Sequence, residues 1–294
     1  MAKRRVSKAA TPRGNNVAKP RARKAIPRNP ELEASLVAQP DDPAVREVLA
    51  DWLLSIGDPL GEVLALDNAG RTRAATRLIT NRSQGIGGFN RTVLVWRGAF
   101  VDTVRIPDTM SSRAVAMLAK IFDRPSSLLV RKASLGFAPT HAVIELISER
   151  ARTLRHLFCW FGGGIGDLAV ATLERLDLFV RLKTPIDVGS LAPLLAAERV
   201  PALRWIEVYD KPVSVELLAA LLDSKLLRQL EWLGLVQSSV DGAGAKFLLQ
   251  HAGKLAHLRG LSIDTTDVTA QPEVAAAFAT QIEAWQAMKA TAQD

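Results

Sequence analysis

The chain has 294 residues, 48% of them hydrophobic, and its 38 Lys and Arg outnumber 30 Asp and Glu for a net charge of +8. That length supports one large or two modest domains, and the apolar content is ample for a core. A single cysteine, Cys159, excludes an intramolecular disulfide and a cysteine-built zinc site, and no apolar run approaches the ~20 residues that span a bilayer.

The charge is unevenly spread. Residues 1–30 hold ten Lys or Arg and no acid, so the remaining 28 basic residues face all 30 acidic ones and the body is nearly neutral, at −2. Residues 1–28, rich in Lys, Arg, Ala and Pro, cannot bury enough surface to offset their ordering entropy, and a disordered tail is expected. Within it Lys3, Arg4, Arg5, Arg21, Arg23 and Lys24 suit the phosphates of nucleic acid or another polyanion, through counterion release and without sequence readout. No aromatic residue interleaves these charges, so base stacking is not supported. A solubilising extension is the alternative, and an organellar transit peptide shares the composition. The segment lacks the apolar stretch of a secretory signal, so a cytoplasmic location is expected.

Residues 29–98 read as a small helical module and linker. Asn29-Pro30, Asp42-Pro43 and Asp58-Pro59 each set a capping side chain before a proline, the combination that opens a helix. The predicted buried faces are Leu32, Leu36 and Val37, then Val45, Val48, Leu49, Trp52, Leu53 and Ile56, then Val63, Leu64 and Leu66. Leu36-Val-Ala-Gln-Pro-Asp-Asp and Ala50-Asp-Trp-Leu-Leu-Ser-Ile-Gly-Asp-Pro-Leu-Gly-Glu62 resemble the bacterial repeat-companion domain, in which such a module precedes degenerate leucine-rich-like repeats. That resemblance implies architecture and no chemistry. Asp41, Asp42, Asp51, Asp58 and Glu62 do not read as a metal or acid–base cluster, because two of them are caps and Glu62 suits a helix N-terminal dipole. A basic helix is predicted over 71–80. Gln84-Gly-Ile-Gly-Gly88 then breaks the chain without the Lys-Ser or Lys-Thr of a phosphate loop. A strand over 92–96 is predicted to pair with one over 100–106 across Arg97-Gly98.

From 99 to 270 one phrase recurs, leucine-x-x-leucine-x-leucine. Leu154-Arg-His-Leu157-Phe-Cys159, Leu173-Glu-Arg-Leu176-Asp-Leu178, Leu203-Arg-Trp-Ile206-Glu-Val208, Leu230-Glu-Trp-Leu233-Gly-Leu235 and Leu258-Arg-Gly-Leu261-Ser-Ile263 match it. Looser copies begin at Val101 and Val130, and successive starts are 19 to 30 residues apart. Alternation in a strand sends the apolar set into a core that stacked units bury together. Helices are predicted between the phrases over 111–122, 140–150, 189–197, 214–222 and 243–251, with a turn and a single helical turn in the short step around Gly162-Gly-Gly-Ile-Gly166. The pattern resembles the leucine-rich repeat family in its ribonuclease-inhibitor-like form. It implies an α/β, curved solenoid, although the asparagine that often follows the phrase in that family is missing. Residues 271–294 carry Val274, Phe278, Ile282 and Trp285 at helical spacing and are expected to cap the open end.

The strand positions opposite the core form the inner face in that family. There the middle units carry Phe158, Trp160, Phe179, Trp205, Glu207, Tyr209 and Trp232, including three of the six Trp and the only Tyr. Contiguous aromatics of this kind mark a surface for a protein or peptide partner; alternatively the rings pack beneath the N-terminal helices or an irregular loop. His141, His156, His251 and His257 lack metal-ligand spacing, and no nucleophile elbow, kinase set or dinucleotide fingerprint is present. His156 and Cys159, three apart in one strand, point to opposite faces. The sequence therefore predicts a non-enzymatic interaction scaffold with no cofactor, no metal, no small-molecule substrate and no membrane association; the alternative is a nucleic-acid-associated protein acting through its tail.

Overall fold

The computed structural model describes residues 27–82, 93–180, 187–209, 214–236, 242–263 and 272–291. Residues 1–26 of the predicted tail, with Lys3, Arg4, Arg5, Arg21, Arg23 and Lys24, lie outside these residues, as do the glycine break at 84–88 and the start of the strand predicted from 92, whereas Arg28, at the predicted end of the tail, pairs with Glu33 of the first helix.

Four helices come first: α1 (Pro30–Ala38), α2 (Pro43–Ser55), α3 (Pro59–Asn68) and α4 (Thr72–Arg82). The three proline signals are real N-termini. Asn29 Oδ1 accepts from the Leu32 amide at 3.2 Å, Asp42 Oδ1 from Ala44 at 2.9 Å and Asp58 Oδ1 from Leu60 at 2.8 Å. Such a cap is worth about 1 kcal/mol. Leu36, Leu49, Leu53, Val63 and Leu64 fill the module's core, and Leu32, Val37, Val45, Trp52, Ile56 and Leu66 are half-buried. Val48, expected inside, is 52% exposed, because α2 turns Leu49, Ala50 and Leu53 inward instead.

Eight strands form one sheet in chain order: β1 (Leu94–Arg97), β2 (Phe100–Ile106), β3 (Lys132–Leu135), β4 (His156–Trp160), β5 (Arg175–Phe179), β6 (Trp205–Tyr209), β7 (Trp232–Val236) and β8 (Gly260–Ile263). β1 and β2 are antiparallel across the Arg97-Gly98 turn, where Gly98 has φ +59°, a conformation that suits glycine. All later neighbours are parallel. The module joins the sheet at this end: Ala99, Phe100 and Leu129 belong to its core, and Asp67 accepts from Arg46 at 2.6 Å and from the Ala99 amide at 3.3 Å.

The repeated phrase sets the register. Val104, Ala133, Leu157, Leu176, Ile206, Leu233 and Leu261 pair strand to strand in one row, and none is more than 5% exposed. The leading residues Leu154, Leu173, Leu203, Leu230 and Leu258 are buried just ahead of their strands. Each fully buried Leu contributes roughly 1.5–3 kcal/mol. Helical returns between strands, such as α5 (Ala114–Phe122), His141–Arg150 and Val215–Leu222, add Leu118, Ile144 and Leu218 to the same core. Where longer helices were expected, 108–113 and 189–191 are 3-10 turns, and the short step holds a single 3-10 turn at Ile165–Asp167.

In four units a polar residue just before the phrase ties the unit to the one before it. Thr153 Oγ1 donates to the carbonyls of Leu128 and Val130, Thr172 Oγ1 to those of Arg152 and Leu154, and Gln229 Nε2 to those of Val200 and Leu203. His257 Nε2 meets the Leu227 carbonyl at 2.9 Å. Each such bond is worth about 1 kcal/mol, and at Val200 and Leu227 it adds a second donor to a carbonyl that already accepts a backbone amide.

The expected end cap is two helices. Pro272–Ala277 places Val274, and Phe278 follows it, at 0% and 1% exposure in the main core. The C-terminal helix, Ala279–Thr291, then crosses to the other face of the sheet. Among the described residues no helix is long and apolar enough to cross a membrane.

Candidate functional site

The face opposite the core has three levels, set by the two-residue period of the strands. The first level runs through Lys132, His156, Arg175, Trp205, Trp232 and Gly260. The second runs through Ser134, Phe158, Asp177, Glu207, Gly234 and Ser262. Trp160, Phe179 and Tyr209 form the third. The sequence-predicted residues Phe158, Trp160, Phe179, Trp205, Glu207, Tyr209 and Trp232 therefore share one face, but two different environments divide them.

Over β6–β8 the face is covered. Trp285 of the C-terminal helix, 5% exposed, meets Trp205 and Trp232 with ring centroids 5.1 and 6.0 Å away, and Trp205 and Trp232 stack at 5.4 Å. Glycine makes the seat. A Cβ on Gly234 would come within 2.8 Å of Trp285 Cη2, and one on Gly260 within 2.4 Å of the Trp232 ring. The cover is the chain's own C-terminus rather than the N-terminal helices. Trp205 and Trp232 are half-buried beneath it.

Glu207 is fully buried, in contrast to its expected place on an open surface. It accepts from Trp205 Nε1 at 2.7 Å, from Arg175 Nη2 at 2.9 Å, from Lys289 Nζ at 2.8 Å and from the Tyr209 hydroxyl. Lys289 sits one turn beyond Trp285, so ring and ammonium reach the sheet from one side of the helix. Arg175 also donates through Nε to Asp177 at 2.8 Å and lies 4.4 Å above the Trp205 ring. Asp177 meets His156 Nε2 at 2.8 Å. Burial opposes the charge of Asp177, but the bonds from His156 and Arg175 outweigh it and hold the carboxyl below its usual range. Burial, then the bond to Glu207, pushes the Tyr209 phenol upward.

Further along, the described residues leave the face open. The contacts of the C-terminal helix reach β6 through Trp205 and Glu207. Beyond them Phe179 stacks on Tyr209 at 4.4 Å and touches Phe158 at 4.7 Å and Trp160 at 5.9 Å. All four rings are half-buried. Arg105 of β2 and Lys132 of β3 are exposed on the same face.

The remaining candidate chemistry is dispersed. Cys159 is buried, and burial pushes its thiol upward, while His156 points to the other face. His141 pairs with Asp167 at 2.6 Å, and His251 meets the Phe247 carbonyl at 2.9 Å. Among the described residues no group of three His, Cys, Asp or Glu is placed to hold a metal. Two contributors to the covered half went unread in the sequence, Gly234 with Gly260 and Lys289. Glycine at outward positions of two neighbouring strands is the signal for close approach of another element.

No protein-family model matches the chain, and no curated protein matches it. A structural-genomics crystal structure of a Bacteroides fragilis protein is similar over 66% of this chain and 76% of that one, at 16% identity and a TM-score of 0.41.

Proposed function

We propose that this protein is a non-enzymatic, cytoplasmic interaction scaffold: a curved leucine-rich-repeat-like solenoid behind a repeat-companion-type helical module, binding a protein or peptide on its outward strand face. The observation that carries this reading is the contiguous group Phe158, Trp160, Phe179 and Tyr209, half-buried on the part of the face that the C-terminal helix leaves open. Aromatics held by mutual stacking present a large apolar area at little entropic cost. Parallel strands in chain order, each returned by helical segments, support the solenoid.

Quantitative affinity capture with the full chain and with a Phe158→Ala, Phe179→Ala variant tests this. The partners are expected to drop out with the variant while its circular dichroism is retained. Equal recovery on both would defeat the reading.

A second reading rests on the ten Lys or Arg and no acid of residues 1–30, which suit a polyanion. With about six phosphate contacts, affinity for DNA or RNA would fall about a thousandfold between 50 and 200 mM salt. Deleting residues 1–28 is expected to abolish it; affinity that survives the deletion ends this reading.

A further inference from the structure

Resting on the interaction reading above, we infer that the open part of the sheet face takes an extended acidic peptide carrying an apolar anchor. The charge on that part is one-sided. Its outward positions on β2–β5 include Arg105, Lys132, His156 and Arg175, and a single carboxylate, Asp177. Asp177 is already engaged by His156 and Arg175. Asp102 of β2 is held by Arg131 at 2.8 Å, and the nearby Lys132 charge adds a weaker attraction to it. Arg105 and Lys132 are exposed and make no ion pair among the described residues. Two cations thus stand beside an aromatic cluster, in a body whose net charge outside the tail is slightly negative.

The spacing selects the ligand's form. Arg105, Ser134 and Phe158 lie level on three neighbouring strands, so about 10 Å separates the Arg105 position from the Phe158 position. Lys132 and Phe179 are two strands and two levels apart, roughly 16 Å. An extended chain covers ~3.3–3.6 Å per residue, so three to five residues bridge cation and ring. Side chains two or four residues apart in such a peptide point the same way. A separation of four residues covers about 13–14 Å, so an Asp or Glu four residues from a Leu, Phe or Met meets both features at once.

The rings favour a peptide over single-stranded nucleic acid. Bases need separate aromatic faces to stack on. Here Phe179 is stacked on Tyr209 and touched by Phe158 and Trp160, so the four rings form one apolar mound.

Selection of random phage-displayed peptides on the full-length protein tests this, followed by fluorescence anisotropy of synthetic winners on three proteins: wild type, an Arg105→Glu, Lys132→Glu variant and the Phe158→Ala, Phe179→Ala variant. Winners should carry an acid four residues from an apolar anchor. They should bind at least tenfold more weakly to either variant. The two reversed residues are exposed, so the first variant should keep the wild-type unfolding midpoint. Winners that lack acids but still need the rings overturn the acidic-peptide inference and leave the interaction reading standing. Acidic winners indifferent to the reversal belong to the basic tail and also overturn it. An oligothymidylate that displaces the winners and is lost on the same reversal assigns the face to nucleic acid instead. If no winner depends on the rings, both readings fall.

Discussion

The outward face of β6–β8 and that of β2–β5 begin from the same sequence alternation and end in opposite states. On β6–β8, Trp205 and Trp232 lie under Trp285, and Glu207 is sealed among a Trp, a Tyr, an Arg and a Lys. On β4 and β5, Phe158, Trp160 and Phe179 hold one another and remain half-exposed. The difference comes from a distant segment and from two missing side chains. Gly234 and Gly260 leave room for the C-terminal helix, whereas Ser134, Phe158 and Asp177 fill the level of Gly234 on earlier strands, and Lys132, His156 and Arg175 fill that of Gly260. Exposure on a repeat face is thus decided by what else the chain lays across it.

The most forceful way to break the comparison is to uncover the covered half. Trp285→Ala removes the ring at the centre of the cluster, and truncating a buried Trp costs about 3–5 kcal/mol. Urea unfolding should show a loss of that order, and Trp205 and Trp232 should become open to a soluble quencher. A loss below about 1 kcal/mol would mean that the helix does not pack there.

Much of this fold is legible in the sequence because its signals are local. Asn29, Asp42 and Asp58 ahead of prolines announce helix starts through bonds made within three residues. The repeated phrase announces strands through their period of two, so Leu157, Leu176, Ile206, Leu233 and Leu261 fall in one row. The aromatic face follows from the same period. What lies across that face does not, because Trp285 and Trp205 are 80 positions apart, and the outward glycines signal that something approaches without saying which segment. Thr153, Thr172 and Gln229 went unread for a similar reason. Each bonds a carbonyl of the preceding unit, and nothing in their own neighbourhood distinguishes them from solvated turn residues.

A second, smaller intervention leaves the shape and removes one charge. Glu207→Gln keeps the volume but strips Lys289 and Arg175 of a buried partner, a loss of about 3 kcal/mol. The only tyrosine reports on it directly. Burial and the bond to Glu207 raise the Tyr209 pKa, so its tyrosinate absorbance should develop well above the ordinary value of about 10. In the variant it should develop at lower pH than in wild type. The sign also fixes the alkaline limit. A raised folded value contributes stability that is whole below about pH 10 and is lost as pH rises through the folded value. Asp177 behaves oppositely: its depressed value contributes above about pH 3.9 and is lost as pH falls through the folded value. A tyrosinate curve identical in wild type and variant would separate Tyr209 from Glu207.

The smallest effects sharpen the contrast most. Lys289→Ala on the covered half removes the tie from the helix to Glu207 and should cost about 1–2 kcal/mol, since a buried carboxylate loses one of several donors. Arg105→Ala and Lys132→Ala on the open half should each stay within about 0.5 kcal/mol, the range for exposed side chains, since neither makes an ion pair among the described residues. All three are cations over the same face of the sheet, so the difference in cost measures whether the fold or something outside it uses the charge. If Arg105 or Lys132 costs as much as Lys289, an element of this chain also lies over β2–β5, and the open half is no more available to a partner than the covered one.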